Sequence, residues 1–245
     1  MSKALIIIPA FNEQGNIAPL LKSLLAINKV HGVDVDVLVI NDCSKDNTSK
    51  ISKECGVKVV DLPCNLGIGG AVQTGYKFAA SFNYQFAIQI DGDGQHDPKY
   101  LDEVLSPLIN SNADLVIGSR YLKKEGFQST ALRRLGITYF SKLIQFVTNN
   151  KITDPTSGFR ACNQKVIKLF AQNYPTDYPE PESIVYLSRI GLTIKEVPVI
   201  MRHREEGTSS ITSFKSIYYM IKVSLAILID KLRKQSSTIE KEVLG

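Results

Sequence analysis

Short runs of uninterrupted apolar side chains, each followed by a longer stretch with helical spacing, recur through the first half of the chain. This rhythm limits the fold more than any other feature. The runs lie at 5–8, 35–40, 57–60, 86–90 and 115–118. A strand with one wet face alternates apolar and polar residues, so an unbroken run reads as a strand covered on both faces. Between the runs, 14–27 places Ile17, Leu20, Leu21, Leu24 and Leu25 on one helical stripe, and Asp46 or Asn47 is positioned to cap a helix reaching about residue 54. Residues 69–82 read as a helix, and 98–109 as another with Pro98 in its first turn. Such alternation implies an α/β fold with a Rossmann-like, mostly parallel sheet flanked by helices. The second half is less regular: a helix at 132–147, a polar turn at 153–158, a helix at 183–190 and a strand at 193–199. There is no internal repeat and no linker. The 245 residues, 44% of them apolar, suit one large domain over 1–210 with a C-terminal amphipathic helix and tail over 211–245.

In sheets of this kind ligands bind beyond the C-terminal ends of the strands. Three polar segments fall there: 9–13, 41–46 and 91–97. The last is the sharpest. Asp91-Gly92-Asp93-Gly94-Gln95-His96-Asp97-Pro98 leaves an apolar strand directly. Asp91 and Asp93 are two hard oxygen ligands separated by a glycine that permits a tight turn, a pattern suited to Mg²⁺ or Mn²⁺ gripping a diphosphate. Gln95 adds a neutral oxygen, and His96 is a ligand or a hydrogen-bonding neighbour. The plain alternative is an Asp-Gly turn; the strand-end position argues for the metal. The loop 41–48 offers carboxylates to the N–H groups of a nucleobase, as well as caps for the next helix. The glycine-rich 65–70 does not follow the first strand and lacks dinucleotide spacing, so it reads as close helix packing beside the pocket.

Composition removes several classes. A net charge of +5 is too small to argue for nucleic acid but suits anionic phosphates and headgroups. The cysteines at 43, 55, 64 and 162 have no metal or redox spacing and read as reduced structural thiols. The N-terminal apolar run is too short for a signal peptide, and no stretch reaches the ~18 apolar residues of a membrane span. Residues 211–234 carry Phe214, Tyr218, Ile221, Leu225, Leu228 and Leu232 at helical spacing, with Lys215, Lys222, Lys231, Arg233 and Lys234 around them. That stripe fits a membrane interface, the domain's own core or an oligomer contact.

Taken together these segments resemble the family 2 glycosyltransferases with the GT-A fold, most closely the branch of dolichyl- and undecaprenyl-phosphate sugar transferases. The similar segments are Pro9-Ala10-Phe11-Asn12-Glu13, Asn41-Asp42-x-Ser44-x-Asp46 and Asn65-x-Gly67-x-Gly69-x-Ala71-x-x-x-Gly75. They continue with Asp91-x-Asp93-x-Gln95, Gly118-Ser119-Arg120-Tyr121 and Asp154-x-x-Ser157-Gly158-Phe159-Arg160. The resemblance implies donor contacts from Pro9, Phe11, Glu13 and Asp42, and a metal on Asp91, Asp93 and Gln95. It implies a donor-diphosphate contact from Arg204 and acceptor-phosphate contacts from Arg120 and Arg133 or Arg134. Asp154 is implied as the base or an orienting carboxylate. Arginine's planar fork suits phosphate oxygens, although Arg133 and Arg134 also fit a solvated helix face. Two departures touch the acceptor. Ser209-Ser210 stands where the branch has Ser-Lys, and Tyr178-Pro179-Glu180-Pro181-Glu182 replaces a simpler acidic segment. The two prolines suggest a stiff loop, in which Glu180 or Glu182 binds sugar hydroxyls or serves as the base.

The expected activity is therefore inverting, metal-dependent transfer from a nucleotide-sugar, UDP-glucose or a relative, to a polyprenyl-phosphate or lipid-linked acceptor in cell-envelope glycan synthesis. The expected location is the cytoplasm, peripheral at the inner face of the membrane, touching the bilayer or a small membrane-protein partner. The alternatives are a soluble or cell-wall saccharide acceptor, and a nucleotide-sugar-binding module without transfer. A nucleotidyltransferase would carry a lysine-rich glycine loop after the first strand, which is missing. No Ser-His-Asp or Cys-His arrangement calls for a covalent intermediate.

Overall fold

The computed structural model describes residues 2–123, 125–126, 130–202 and 213–232. Arg204 and Ser209-Ser210 lie outside them, as do Arg233 and Lys234. Eight strands form one sheet: β1 (Lys3–Ala10), β2 (Lys29–Val30), β3 (Val33–Asn41), β4 (Lys58–Asp61), β5 (Phe86–Gln89), β6 (Leu115–Ser119), β7 (Arg160–Asn163) and β8 (Ile194–Pro198). The order runs β2-β3-β1-β5-β7-β6-β8, and β4 pairs with the C-terminal half of β3. The pairs β1–β3, β1–β5, β3–β4 and β6–β8 are parallel.

The unbroken apolar run of β1 divides between two cores. Leu5 and Ile7 join a cluster with Tyr76, Phe140, Phe170 and Ile184; Ala4, Ile6 and Ile8 join one with Ile17, Leu21, Val104 and Leu105. Successive side chains of a strand point to opposite faces, so a strand covered on both sides must be apolar at every position. Helices α1 (Ile17–Leu25), α2 (Thr48–Glu54) and α4 (Leu101–Ile109) cover one face; α3 (Gly67–Ser81), α5 (Ala131–Thr148), α6 (Gln164–Gln172), α7 (Pro179–Arg189) and α8 (Ser213–Leu232) cover the other. Gly69 shows why the glycine-rich helix needs its glycines: a Cβ there would stand 2.1 Å from the backbone oxygen of Thr176, so the close-packing reading of that segment fits.

Several elements depart from the sequence reading. β7 enters between β5 and β6, antiparallel to both, so the parallel rhythm stops there. α6 follows it and buries Val166, Ile167, Leu169 and Phe170, a stripe not anticipated. The Tyr178–Glu182 segment is no stiff loop: α7 begins at Pro179, and both prolines sit in its first turn, where a missing N–H costs no intrahelical bond. Pro98 opens a single 3-10 turn, capped by Asp97, before α4 begins.

Candidate active site

The loops after β1 and β3 are stitched together by side chains. Asn12, at φ 56°, donates its N–H to Ser44 Oγ at 3.0 Å, and its Oδ1 accepts from Lys45 N at 2.8 Å. Glu13 N donates to Thr48 Oγ1 at 2.8 Å and Gln14 N to Asp46 Oδ2 at 3.1 Å. Partial burial would raise the Asp46 carboxyl, but bonds from Thr48 and Gln14 to its charged form outweigh that and hold it below the ordinary range. Asp42 is buried, and its two oxygens accept from Leu66 N (2.7 Å) and Gly67 N (2.9 Å), capping α3. Its remaining lone pairs are what it can offer a nucleobase. Phe11 stands 45% exposed at the rim, Pro9 is buried within β1, and Glu13 is half-buried with its Oε2 accepting from Asn16.

At the end of β5, Asp91 N donates to Nδ1 of the buried His96, whose ring stacks on Phe159. His96 therefore acts as the hydrogen-bonding neighbour. The Asp91 side chain is 36% exposed and lies directly against Gly158, where a Cβ would meet its oxygens at 2.5 and 2.8 Å. Asp93 Oδ1 accepts from Gln95 N at 3.1 Å. Gln95 clasps the segment after β8: Arg202 N donates to its carbonyl (3.0 Å), and its own Nε2 donates to the Arg202 carbonyl (3.2 Å). Arg202 also bonds Asp97 at 2.8 Å. Among the described residues no three His, Cys, Asp or Glu side chains gather to hold a metal unaided. Two carboxylates at a strand end do fit a hard cation that takes its other ligands from phosphate oxygens and water. Gly158→Ala is expected to displace the Asp91 carboxylate and lower metal-dependent activity at least about ten-fold, since ligand placement is sensitive at this scale. Activity against Mn²⁺ concentration, with circular dichroism unchanged, checks this.

At the end of β6 stands Arg120, 7% exposed, in a two-pronged pair with the fully buried Asp154: Nε to Oδ2 and Nη2 to Oδ1, both 2.7 Å. Arg120 N also donates to Asp154 Oδ2. Glu196 of β8 fixes the turn beneath, accepting from Thr153 N (2.7 Å) and Asp154 N (2.8 Å). Both Asp154 oxygens are thus engaged by the guanidinium, which rests 5.4 Å from the ring centre of Tyr121. Arg133 and Arg134 are exposed on the first turn of α5.

Sequence reasoning gave Arg160 no role of its own. It is 1% exposed and donates to the carbonyls of Ser157 (2.7 Å), Pro155 (2.9 Å) and Glu180 (2.9 Å) and to Ser183 Oγ (2.9 Å). It thereby pins the 154–158 turn to the start of α7. The partly buried Glu180 faces this cluster. Desolvation pushes its carboxyl up to about 7, with Arg160 pulling down and Asp91 pushing up. The buried Gln89 amide lies beside this carboxyl and also pulls it down. Glu182 faces the other way: burial raises it, and Lys222 of α8 pulls it down.

Glu180 carries a pH prediction for the metal-free protein. Its folded pKa lies above the usual 4.5, so the folded state keeps a proton that the unfolded chain has lost. That stabilisation is complete below the unfolded value and fades as pH rises through about 7. The decline amounts to at most about 3 kcal/mol. Urea unfolding of Glu180→Gln is expected to lack it.

A mostly parallel sheet with an inserted antiparallel strand, carboxylates at the end of β5 and a loop pair beside β1 and β3 define a transferase fold of the GT-A class. The model for "Glycosyl transferase family 2" matches residues 5–170, and the chain belongs to that family; it is a glycosyltransferase. It is 29% identical to a UDP-N-acetylglucosamine–dolichyl-phosphate N-acetylglucosaminyltransferase of Methanococcus voltae, over 92% of this chain and 97% of that one. It is 28% identical to a polyprenol monophosphomannose synthase of Mycolicibacterium smegmatis, over 91% and 86%. The fold is that of the glucosyl-3-phosphoglycerate synthase of Mycobacterium tuberculosis, crystallised with Mn²⁺, UDP and phosphoglyceric acid. The TM-score is 0.69 at 18% identity, covering 96% of this chain and 80% of that one.

Proposed function

We propose that the protein transfers a sugar from a UDP-sugar to a polyprenyl phosphate or lipid-linked acceptor in cell-envelope glycan synthesis, inverting the anomeric carbon. The observation that carries this reading is the convergence at one end of the sheet of the Asp91 carboxylate, the Gly158 backbone against it and the Arg120–Asp154 pair. Residues 1–210 form the transferase domain in this reading, and 211–245 its C-terminal helix and tail. The names of the relatives, which act on dolichyl and polyprenyl phosphates, support the acceptor class.

Pro9, Phe11, Glu13 and Asp42 would enclose the nucleoside, with Phe11 as the exposed ring at the rim. Asp91 and Asp93, with Gln95, would hold Mg²⁺ or Mn²⁺, which offsets charge on the leaving diphosphate when bound. Arg204 would add a permanent charge to that diphosphate. Arg120, backed by Asp154 and flanked by Arg133 and Arg134, would receive the acceptor phosphate, with Glu182 further along α7. An ionised phosphate needs no base, so Asp154 serves here as the orienting carboxylate for Arg120. Proximity and fixed charge supply the rate. The site lies in the cytoplasm, with the protein peripheral at the inner face of the membrane.

Glu180 favours a second reading. A carboxyl titrating near neutrality and facing Asp91 suits proton removal from a saccharide hydroxyl. A screen of nucleotide-sugars with Mn²⁺ or Mg²⁺, with and without polyprenyl phosphate, separates the two by nucleoside diphosphate release. Release that depends on polyprenyl phosphate and survives Glu180→Gln supports the first. Release with free saccharides that Glu180→Gln abolishes supports the second.

A further inference from the structure

The helices α5 and α8 run side by side in the same direction. Tyr139 Oη lies 2.9 Å from Ser224 Oγ, and seven residues further along each helix Lys231 Nζ lies 5.0 Å from the ring centre of Phe146. α8 buries Val223 and Ile227 on the domain, yet its outer side is apolar too: Ile221 (57% exposed), Leu225, Leu228 and Ile229. Leu135 (70%) and Phe146 (75%) extend the same surface along α5. A helix covering only its own core would carry polar residues outside, and contiguous apolar exposure on this scale marks an interaction surface.

The charge on this surface selects the occupant. Arg134, Lys142, Lys222 and Lys231 border or interrupt it. The nearby acids are mostly engaged inward or by these cations: Asp230 pairs with Arg189 and Asp177 with Lys222. A second copy would set like charges against one another, whereas an anionic headgroup layer would neutralise them and receive the apolar side chains. Among the described residues no helix is long and apolar enough to cross a membrane, so the helices would lie along the interface. α5 begins beside the cleft, and α8 runs along α5. The charges of Arg133 and Arg134 reach Tyr121, whose ring lies under Arg120, and Lys222 acts on Glu182 at the start of α7.

We infer that the paired outer faces of α5 and α8 form a docking surface for an anionic lipid bilayer, which holds the mouth of the cleft at headgroup level. This rests on the lipid-phosphate reading of the acceptor, which it deepens by naming the surface that brings the enzyme to it.

The test is co-sedimentation of the full chain with vesicles of phosphatidylcholine alone or with about one-third phosphatidylglycerol, at low and high salt. Binding is expected to the anionic vesicles and to weaken with salt. Ile221→Glu/Leu225→Glu is expected to weaken it at least about ten-fold, because two outward apolar side chains are lost to the interface. The melting temperature and turnover of a water-soluble short-chain prenyl phosphate should stay unchanged. No binding to anionic vesicles, or binding that the double variant retains, overturns the proposal. So does a concentration-dependent dimer, seen by analytical ultracentrifugation and abolished by the same substitutions. Vesicle binding as expected, with no sugar reaching any prenyl phosphate, leaves the docking surface standing and removes the acceptor reading instead.

Discussion

Asp93→Ala is expected to cut sugar transfer by about three orders of magnitude while leaving the fold intact. The loss corresponds to about 4 kcal/mol of transition-state stabilisation, the scale of a cation's contribution at a leaving diphosphate. The carboxylate closes a local turn by accepting from Gln95 N at 3.1 Å, and the loop is held independently by the Gln95–Arg202 clasp and the Asp97–Arg202 ion pair. The deletion should therefore be felt in turnover far more than in melting temperature. Steady-state kinetics at saturating Mn²⁺, with a thermal melt of the same sample, reads both. A full rate in the variant would remove Asp93 from the metal site.

The second large effect is on stability. Arg120→Met would leave Asp154, which is fully buried, as an uncompensated charge. Breaking one side of a buried pair costs about 3–5 kcal/mol, well above the usual effect of a point substitution. Adding Asp154→Leu removes the stranded carboxylate, so the double variant should regain much of the lost stability, as apolar replacement of a buried pair often does. It should not regain transfer, because the guanidinium fork is what would receive the acceptor phosphate. Urea unfolding of the two variants, set beside transfer to polyprenyl phosphate, separates the roles. Recovery of transfer in the double variant would make the pair purely structural.

Much of this site could be read in the sequence because strand ends announce themselves. The apolar runs stop at Ala10, Asn41 and Gln89 or next to them, and the polar residues that follow lie together in space. What stayed hidden has physical reasons. β7, Arg160-Ala161-Cys162-Asn163, has no apolar run; it is a strand because its backbone completes two ladders, and Arg160 is buried because carbonyls of the preceding turn and of the distant Glu180 converge on it. The facing of Glu180 toward Asp91 and of Glu182 toward Lys222 follows from α7 starting at Pro179, which two prolines in one turn disguised as a loop. The commitment of Asp154 to Arg120 is likewise a long-range pairing across 34 residues that no local pattern encodes.

Titration of UDP into the protein by calorimetry, with and without Mn²⁺, tests the central claim most directly. UDP should bind tightly only when the cation is present, and Asp91→Asn should abolish that dependence. Equal affinity in the presence and absence of Mn²⁺, or an unchanged response in Asp91→Asn, would contradict a cation held at the end of β5.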